Sequence, residues 1–383
     1  MVSSQRATPD HARFRPTGAE LRAAYAGRRV LVTGHTGFKG GWLTLWLADL
    51  GAEVTGYALP PDTTPALFGE VGLERRCHSL IGDVRDARRL AEVVADLRPE
   101  VIFHLAAQPL VRRSYQEPVE TIATNVLGTA HLLDAVRRAA RPCAVVVVTS
   151  DKCYENREWL YGYREDEPLG GHDVYSMSKG AAELVTSSYR RSFFPPARLG
   201  EHGVAVASAR AGNVIGGGDW ARDRIVPDAI SALMAGRPIP VRNPDAVRPW
   251  QHVLEPLGGY LLLGARLLGG GATVEGRAAA CEPWNFGPRA EDARTVREVA
   301  EGLIAGWGSG SWEDRRDPAA SHEAGLLRLS IEKAQARLGW APRWGFGETV
   351  RRTIDWYRAW QEGARGEPLA GICMRQIREY LEA

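Results

Sequence analysis

Tyr175 and Lys179 form a pair whose types and spacing suit acid–base chemistry. Residues four apart lie one turn apart on the same face of a helix. A tyrosine with a pKa of about 10 is a poor base, but an ammonium group one turn away favours the phenolate. The phenolate of Tyr175 can then accept a proton from a hydroxyl group. Surface Tyr/Lys pairs also have this spacing. The position of this pair after the valine-rich run at 144–150 favours the catalytic interpretation.

That valine-rich run ends in Ser150, and Asp151 and Lys152 directly follow it. A strand buried in a parallel sheet delivers the residues after it to the carboxyl edge, where α/β folds bind ligands. Side-by-side Asp and Lys there are a candidate acid–base pair, and the alternative is an exposed ion pair. Only four of the 48 basic residues are lysines: Lys39, Lys152, Lys179 and Lys333. Because lysine, unlike arginine, can lose its proton, this scarcity favours the functional interpretation.

Gly34, Gly37 and Gly40 follow the first apolar run, residues 28–33. A dinucleotide site needs such glycines for a tight turn, for close approach of the pyrophosphate and for helix–strand packing, and the phosphates meet the helix N-terminus. The spacing G-x-x-G-x-x-G differs from the usual G-x-G-x-x-G, and plain turn glycines are the alternative. The sequence therefore predicts a dinucleotide cofactor at this turn.

The end of the second strand, residues 53–58, bears on the choice of cofactor. The acidic residue usual about 20 residues beyond the glycines is missing, and no arginine stands there to accept a 2′-phosphate. The sequence thus favours NAD over NADP. Asp83, after the third strand, is expected to accept the adenine amino group, and the alternative is that it caps the following helix.

Apolar runs and helical patterns alternate as far as residue 210. The predicted strands are 28–33, 53–58, 79–83, 101–107, 144–150 and 204–210. The predicted helices between them are 42–50, 86–98, 118–140 and 175–192. This alternation predicts an α/β fold with a Rossmann-type doubly wound parallel sheet.

The chain divides into three predicted parts. Residues 1–25 are a flexible extension, 26–206 the NAD-binding domain, and 207–383 a smaller mixed α/β substrate-binding lobe. A segment near 239–257 can return from that lobe to the first domain, and the last ~35 residues form an amphipathic helical tail.

Composition excludes several classes of protein. The formal net charge of +2 gives no reason to expect a nucleic-acid or membrane partner. No apolar run approaches the ~20 residues that cross a bilayer, and the first residues lack the apolar core of a secretory signal. The five cysteines form no C-x-x-C pair, which indicates reduced thiols in a cytoplasmic protein and no metal site.

Longer motifs resemble a known family. The glycine-rich turn, the Asp after the third strand, the hydroxyl residue after the fifth and Y-x-x-x-K together resemble the extended short-chain dehydrogenase/reductase superfamily. Within it, six stretches closely resemble the CDP-glucose 4,6-dehydratases: 32–43, 149–159, 162–179, 210–220, 248–257 and 284–289. The likeness runs from about residue 27 to 360.

The resemblance implies NAD-dependent conversion of CDP-D-glucose to CDP-4-dehydro-6-deoxy-D-glucose and water. Tyr175 then deprotonates the C4 hydroxyl, which Ser150 hydrogen-bonds, while hydride passes to NAD. Asp151 protonates the departing C6 hydroxyl, Lys152 handles the C5 proton, and the hydride returns to C6. In the dTDP-glucose relatives a glutamate stands at the place of Lys152. A homodimer joined by helices near 118–140 and 175–192 is also implied.

Further residues are assigned to the two ligands. His35, Phe38 and Ala106 are expected at the cofactor with the glycines, Tyr175 and Lys179. Gln108, Asn213, Arg248 and Asn285 are expected at the substrate. The planar guanidinium of Arg248 suits its pyrophosphate. Trp220, Trp250 and Trp284 either stack on the base or pack in the core.

Other functions remain open on the sequence. A nucleotide-sugar 4-epimerase of the same fold needs no acid–base pair for elimination, so Asp151 and Lys152 discriminate against it. A dehydratase acting on another nucleotide hexose shares every residue above. A ketone reductase would release its cofactor at each turnover, and a regulatory cofactor-binding protein would be expected to lack Tyr175 or Lys179.

Overall fold

A computed structural model describes residues 17–269, 273–316 and 324–383 of the chain. Its strands are β1 (Arg29–Thr33), β2 (Glu53–Ala58), β3 (His78–Ile81), β4 (Val101–His104), β5 (Cys143–Val148), β6 (Val204–Ala211), β7 (Val214–Ile215), β8 (Ile239–Val241), β9 (Val247–Arg248), β10 (Gln251–His252), β11 (Pro283–Phe286), β12 (Arg294–Thr295) and β13 (Trp312–Asp314). Seven of them form a parallel sheet in the order β11-β6-β5-β4-β1-β2-β3. This order confirms the predicted Rossmann-type sheet.

Helices cover both faces of the sheet. They are α1 (Gly18–Tyr25), α2 (Phe38–Asp49), α3 (Leu67–Glu70), α4 (Ala87–Leu97), α5 (Val111–Gln116), α6 (Pro118–Ile122), α7 (Gly128–Ala139), α8 (Val174–Ser192), α9 (Leu199–His202), α10 (Ile225–Met234), α11 (Leu254–Leu268), α12 (Val274–Ala280), α13 (Val296–Trp307), α14 (Phe346–Gln361) and α15 (Glu367–Glu382). A π-helix, Ala123–Leu127, joins α6 to α7 within the single helix predicted at 118–140.

Alternate residues of each central strand face two different cores. Val30 and Val32 of β1 join the core that contains α2 and α11, whereas Leu31 joins the core that contains α4 and α7. All six residues of β5 are buried because helices cover both of its faces. This double burial explains the uninterrupted run of valines.

The prediction of a flexible extension is wrong for residues 18–25, which form α1. Thr17 and Glu20 make a capping box at its start. Leu21 and Tyr25 are buried in the core, and the Tyr25 hydroxyl donates to the Leu261 carbonyl at 2.6 Å. Residues 1–16, the rest of the predicted extension, lie outside the described residues.

The boundary predicted between residues 206 and 207 falls inside β6. β11, from far along the chain, then extends the sheet beyond β6. α11 also packs on the sheet, so the segment that returns to the first domain reaches beyond residue 257. The domain boundary is therefore not a single point in the sequence.

The remaining strands form three two-stranded sheets. β7 pairs with β10, β9 with β12, and β8 with β13. The predicted helical tail consists of two helices, α14 and α15. Within the described ranges, no helix is long and apolar enough to cross a membrane.

Candidate active site

The glycine-rich turn lies between β1 and α2. Gly34 has φ +80°, and a Cβ on it would lie 2.8 Å from the main-chain nitrogen of Ala106. A Cβ on Gly40 would lie 2.0 Å from the Gly34 carbonyl oxygen, so both positions are closed to larger residues. Gly37 is different, because a Cβ there would meet only an ordinary contact at 3.5 Å. Packing within the protein therefore does not require a glycine at the position of Gly37.

The N-terminus of α2 suits an anion. Gly37 is its N-cap, and within the part of the chain that the structure describes no side chain caps the helix by a hydrogen bond. These unpaired donors and the helix dipole attract phosphate. The space beside Gly37 and the uncapped N-terminus of α2 therefore fit a dinucleotide pyrophosphate. Half-buried Phe38 is the first residue of the helix.

His35, predicted at the cofactor, lies beneath the turn instead. Its ring is fully buried over Gly56, and its Nε2 shares a 2.7 Å hydrogen bond with the Ser79 hydroxyl. Burial lowers the pKa of His35 to about 4, so the ring is neutral. The side chain therefore supports the turn from below, and a role of His35 at the cofactor stays a prediction. Half-buried Ala106 stays beside the turn, with its N–H donating to Thr33 Oγ1 at 3.2 Å.

Asp83 lies just beyond β3 and is held by Arg85. The Arg85 N–H donates to Oδ1 at 2.8 Å, and its guanidinium pairs with Oδ2 at 2.6 Å. Partial burial opposes ionisation, but these bonds lower the pKa of Asp83. The residue that caps α4 is Asp86, so the capping alternative for Asp83 is wrong.

Ser150 and Asp151 meet at the carboxyl edge of β5. Ser150 caps a 3₁₀ turn, Asp151–Cys153, and accepts from the Lys152 N–H at 3.2 Å. Its hydroxyl donates to Asp151 Oδ1 at 2.9 Å. Hydrogen bonding also links Ser150 to Tyr175, in the first turn of α8. The structure thus brings three of the predicted catalytic residues into one buried cluster.

Asp151 is the most unusual group of the cluster. It is only 2% exposed, and its Oδ2 has no hydrogen-bond partner in the described part of the chain. Burial raises the pKa of Asp151, although the charges of Lys152 and Arg248 act in the opposite direction. A buried carboxyl with a raised pKa and an unused oxygen can donate a proton. The neighbouring Lys152 side chain is half-buried.

Tyr175 and Lys179 lie one turn apart on α8, as predicted. Burial raises the pKa of Tyr175 to about 12, against hydrogen bonding by Ser150. Burial also lowers the pKa of Lys179 to about 8. The Lys179 ammonium donates to the Val148 carbonyl at 3.5 Å, at the end of β5. The phenolate therefore depends on positive charge at the site before it can act as a base near neutral pH.

Two cations near this cluster were not selected from the sequence. Lys39, on α2, donates to the Tyr260 hydroxyl at 3.1 Å, and burial together with the charge of Lys179 lowers the pKa of Lys39 to about 7. Arg224 pairs with Asp219 at 2.9 Å, and its charge acts on both Lys39 and Tyr175. The scarcity of lysine was a signal for Lys39, whereas nothing in the sequence separated Arg224 from the many other arginines.

Gln108 and Asn285, predicted at the substrate, are instead occupied inside the protein. The two N–H bonds of the Gln108 amide go to the Thr121 hydroxyl and the Leu110 carbonyl, at 2.9 and 3.0 Å. Asn285 is fully buried and donates to the carbonyls of Tyr163 and Ser330. Since neither amide keeps a free N–H, both residues brace loops of the site.

Arg248 and Asn213 have different surroundings. Arg248 is buried and donates to the carbonyls of Val247, Ala324 and Gly325, while its charge acts on Asp151. Asn213 is half-buried. Asn213 is thus the more accessible of the two.

The three tryptophans pack against protein. Trp250 and Trp284 are buried, and their indole N–H groups donate to the carbonyls of Arg294 and Ala280. Trp220 meets the rings of Trp356, Tyr357 and Trp360 from α14. Core packing, one of the two alternatives from the sequence, accounts for all three.

The described residues contain no group of three or more His, Cys, Asp or Glu side chains placed to bind a metal ion. With a hydride acceptor at the glycine-rich turn, the cluster has the groups for hydroxyl oxidation and, through Asp151, for expelling a neighbouring hydroxyl.

Comparison with known proteins gives a consistent result. Residues 31–266 match the model of the family described as GDP-mannose 4,6 dehydratase. The CDP-glucose 4,6-dehydratase of Salmonella typhimurium is 51% identical over 362 residues, which cover 94% of this chain and 98% of that protein. The dTDP-glucose 4,6-dehydratase of Streptomyces antibioticus is 31% identical and covers 88% of this chain and 96% of its own length.

A solved structure extends the likeness to the fold. DesIV, a dTDP-glucose 4,6-dehydratase from Streptomyces venezuelae crystallised with NAD, matches this chain with a TM-score of 0.73 at 26% identity. The alignment covers 89% of this chain and 99% of DesIV.

Proposed function

The chain belongs to the GDP-mannose 4,6 dehydratase family, within the extended short-chain dehydrogenases, and we propose from this that it is a CDP-glucose 4,6-dehydratase. It is an NAD-dependent lyase that converts CDP-D-glucose to CDP-4-dehydro-6-deoxy-D-glucose and water, a step of deoxysugar biosynthesis. The choice of CDP rests on the Salmonella relative, which is 51% identical, against 31% for the dTDP-glucose enzyme of S. antibioticus.

The observation that carries the proposal is the environment of Asp151. A 4-epimerase interconverts two hydroxyl configurations and needs no acid for a leaving group. Asp151 is a buried carboxyl with a raised pKa and a hydrogen bond from Ser150, and its second oxygen has no partner among the residues described. An acid in this position, beside the tyrosine that would begin the reaction, suits elimination of water.

NAD fits the turn between β1 and α2. The residues that would hold it are Gly34, Gly37 and Gly40, with Phe38 and Ala106 beside them and Lys179 at the ribose. The chemistry that NAD supplies when bound is reversible hydride exchange with the sugar. Because oxidation at C4 is balanced by reduction at C6, the overall reaction consumes no oxidant.

The roles of the side chains follow the order of the reaction. Tyr175 accepts the proton of the C4 hydroxyl, which Ser150 orients by a hydrogen bond. The resulting 4-keto group acidifies the C5 proton. Asp151 gives its proton to the C6 hydroxyl, which leaves as water across the C5–C6 bond. At the end of the cycle, the proton that Tyr175 took from the C4 hydroxyl replaces the one that Asp151 gave up, which restores the starting protonation of both groups.

Lys152 is the proposed base for the C5 proton. It directly follows Asp151, and its charge acts on that carboxyl. Unlike an arginine, a lysine at this position can take part in proton transfer. Arg248 is proposed to bind the substrate pyrophosphate and Asn213 the sugar or diphosphate.

The test is a product analysis in heavy water with no added cofactor beyond a catalytic amount of NAD. With CDP-glucose, we expect a product lighter by one water, carrying one solvent deuterium at C5. Substrate labelled with deuterium at C4 should deliver that label to C6. Dehydration of another nucleotide glucose alone would overturn the choice of CDP, and a product of unchanged mass would overturn the dehydratase in favour of the epimerase.

We also propose a homodimer joined through α6–α7 and α8. Large apolar side chains are exposed on the outer face of these helices, among them Val119 at 77% and Leu184 at 60%. Apolar side chains grouped on neighbouring helices are typical of protein–protein contacts. A cytoplasmic location is proposed as well, since the five cysteines are all free thiols.

A further inference from the structure

A buried carboxylate lies behind the proposed site and takes part in none of the steps above. It is Glu183, on α8, one turn beyond Lys179. Its side chain is 3% exposed and forms an ion pair with the equally buried Arg210 of β6, at 2.9 Å. A buried charge pair of this kind is expensive to desolvate, so its presence requires a reason beyond stability.

Glu183 joins three elements of the site. Thr149, directly before Ser150, donates its hydroxyl to Glu183 Oε1 at 2.5 Å. Ser208 of β6 donates to Oε2 at 2.7 Å. The carboxylate therefore fastens α8, which carries Tyr175, to the end of the strand that delivers Ser150 and Asp151.

Arg210 extends this connection to the turn after β5. Its second nitrogen donates to the Tyr154 hydroxyl at 2.8 Å and to the Glu165 carbonyl at 3.0 Å. Tyr154 in turn donates to Asn285 at 2.7 Å. Since Tyr154 directly follows the turn Asp151–Cys153, both ends of that turn are tied to the same ion pair.

The charge of Glu183 also acts on Lys179. Other titratable groups near Lys179 include Tyr175, one turn before it on α8, and Lys39, His104 and the thiol of Cys153. Burial lowers the pKa of Lys39 to about 7 and that of His104 to about 3, so the His104 ring is neutral. Burial lowers the pKa of Lys179, and Glu183 acts against this shift.

We propose that Glu183 is a positioning residue for the dehydration, which sets α8 against β5 and keeps Lys179 in its ammonium form. It touches neither ligand and acts through Lys179 and Thr149. The proposal rests on the proposed function, because the ammonium of Lys179 matters only where Tyr175 has to work as a base.

The test is the pH profile of kcat for Glu183→Gln in the NAD-loaded enzyme. Without the carboxylate, Lys179 loses its proton at lower pH, so the alkaline fall of kcat should move down by about one pH unit. The conservative variant Glu183→Asp should keep the alkaline fall at its original pH. Glu255→Gln is the matched control, since Glu255 is equally buried but hydrogen-bonds to Arg343, Trp344 and Tyr380. It should leave the profile unchanged.

Glu183→Gln leaves Arg210 buried without its partner and can fail to fold. The double variant Glu183→Gln/Arg210→Met removes both charges, and its profile should show the same alkaline shift. A lower kcat with an unmoved profile in either variant would reduce Glu183 to a structural residue and overturn the proposal.

The pH profile also separates the two hypotheses. If the wild-type enzyme dehydrates no nucleotide glucose, the proposed function fails. If it does so and the alkaline fall of kcat is unmoved in Glu183→Gln, the role of Glu183 is rejected.

Discussion

Substitution of Asp151 should separate the two halves of the proposed reaction, oxidation at C4 and loss of the C6 hydroxyl. In Asp151→Asn, Tyr175 and Ser150 can still promote oxidation at C4, but no acid remains for the C6 hydroxyl. We expect dehydration to slow by about 10²–10⁴-fold, while reduced nicotinamide accumulates on addition of CDP-glucose. Stopped-flow absorbance of the reduced cofactor, together with product mass, would measure both. Dehydration at the wild-type rate would remove Asp151 from the mechanism.

The sequence identified the reacting groups better than it identified the groups around them. Tyr175, Ser150 and Asp151 follow from motif and strand position, and the structure brings them together. Gln108 and Asn285 have equally suitable side chains, but their amide N–H groups are satisfied inside the protein. A sequence shows which polar groups exist and not which of them are already paired.

At the scale of elements, the glycine-rich turn offers a matched pair of substitutions. Gly37→Ala places its Cβ in an ordinary contact, so the free energy of unfolding should stay close to wild type while NAD binding weakens. Gly40→Ala drives its Cβ into the Gly34 carbonyl, and we expect a loss of stability of about 1–3 kcal/mol or more. Thermal unfolding of the NAD-free proteins and calorimetric NAD titration would separate the two effects. Equal loss of stability in both variants would contradict this division.

The element boundaries show where pattern reasoning succeeds and where it does not. β2 was predicted at its observed residues, because a buried strand between turns has clear limits. α1 was missed, although its capping box, Thr17 with Glu20, is a recognised start signal. The π-helix at Ala123–Leu127 has no pattern of its own, since one widened turn leaves the helical periodicity almost intact.

The proposed dimer can be tested by substitution on the exposed apolar surface of α8. Leu184→Glu places a charge on the exposed apolar face of α8, and the cost of burying it should convert the dimer to monomer in sedimentation velocity. Leu160→Glu is the control, because Leu160 is 85% exposed but lies outside the proposed interface helices. A dimer that survives the substitution at Leu184 would place the interface elsewhere.

Glu255 should make global stability depend on pH. Burial raises the pKa of Glu255 to about 7, although it accepts hydrogen bonds from the N–H groups of Arg343 and Trp344. The folded protein thus holds this proton where the unfolded chain has lost it. The free energy of unfolding should therefore fall as pH rises from about 4.5 to 7, by at most about 3 kcal/mol.

Urea unfolding of wild type and Glu255→Gln across that range would isolate this contribution. The glutamine cannot ionise, so the difference in stability between the two proteins should change with pH and then level off above pH 7. A constant difference at all pH values would show that Glu255 does not titrate there.

For the molecule as a whole, alternation of strands and helices was enough to predict the sheet. It was not enough to place the boundary, because β6 is continuous across residue 206 and β11 joins it from residues 283–286. Parallel pairing between strands distant in the chain leaves no local trace in a sequence. The separation into domains 26–206 and 207–383 therefore stays a prediction. The main sheet contains strands from both of these ranges.

The position of β11 has a consequence for synthesis of the chain. A ribosome makes β6 well before β11, and at about 5–20 residues per second the roughly 70 residues between them take several seconds. Throughout that interval the outer edge of β6 presents unpaired N–H and C=O groups to other nascent chains. We expect this edge to attract chaperones during translation and, when they are saturated, to be where newly made chains begin to aggregate.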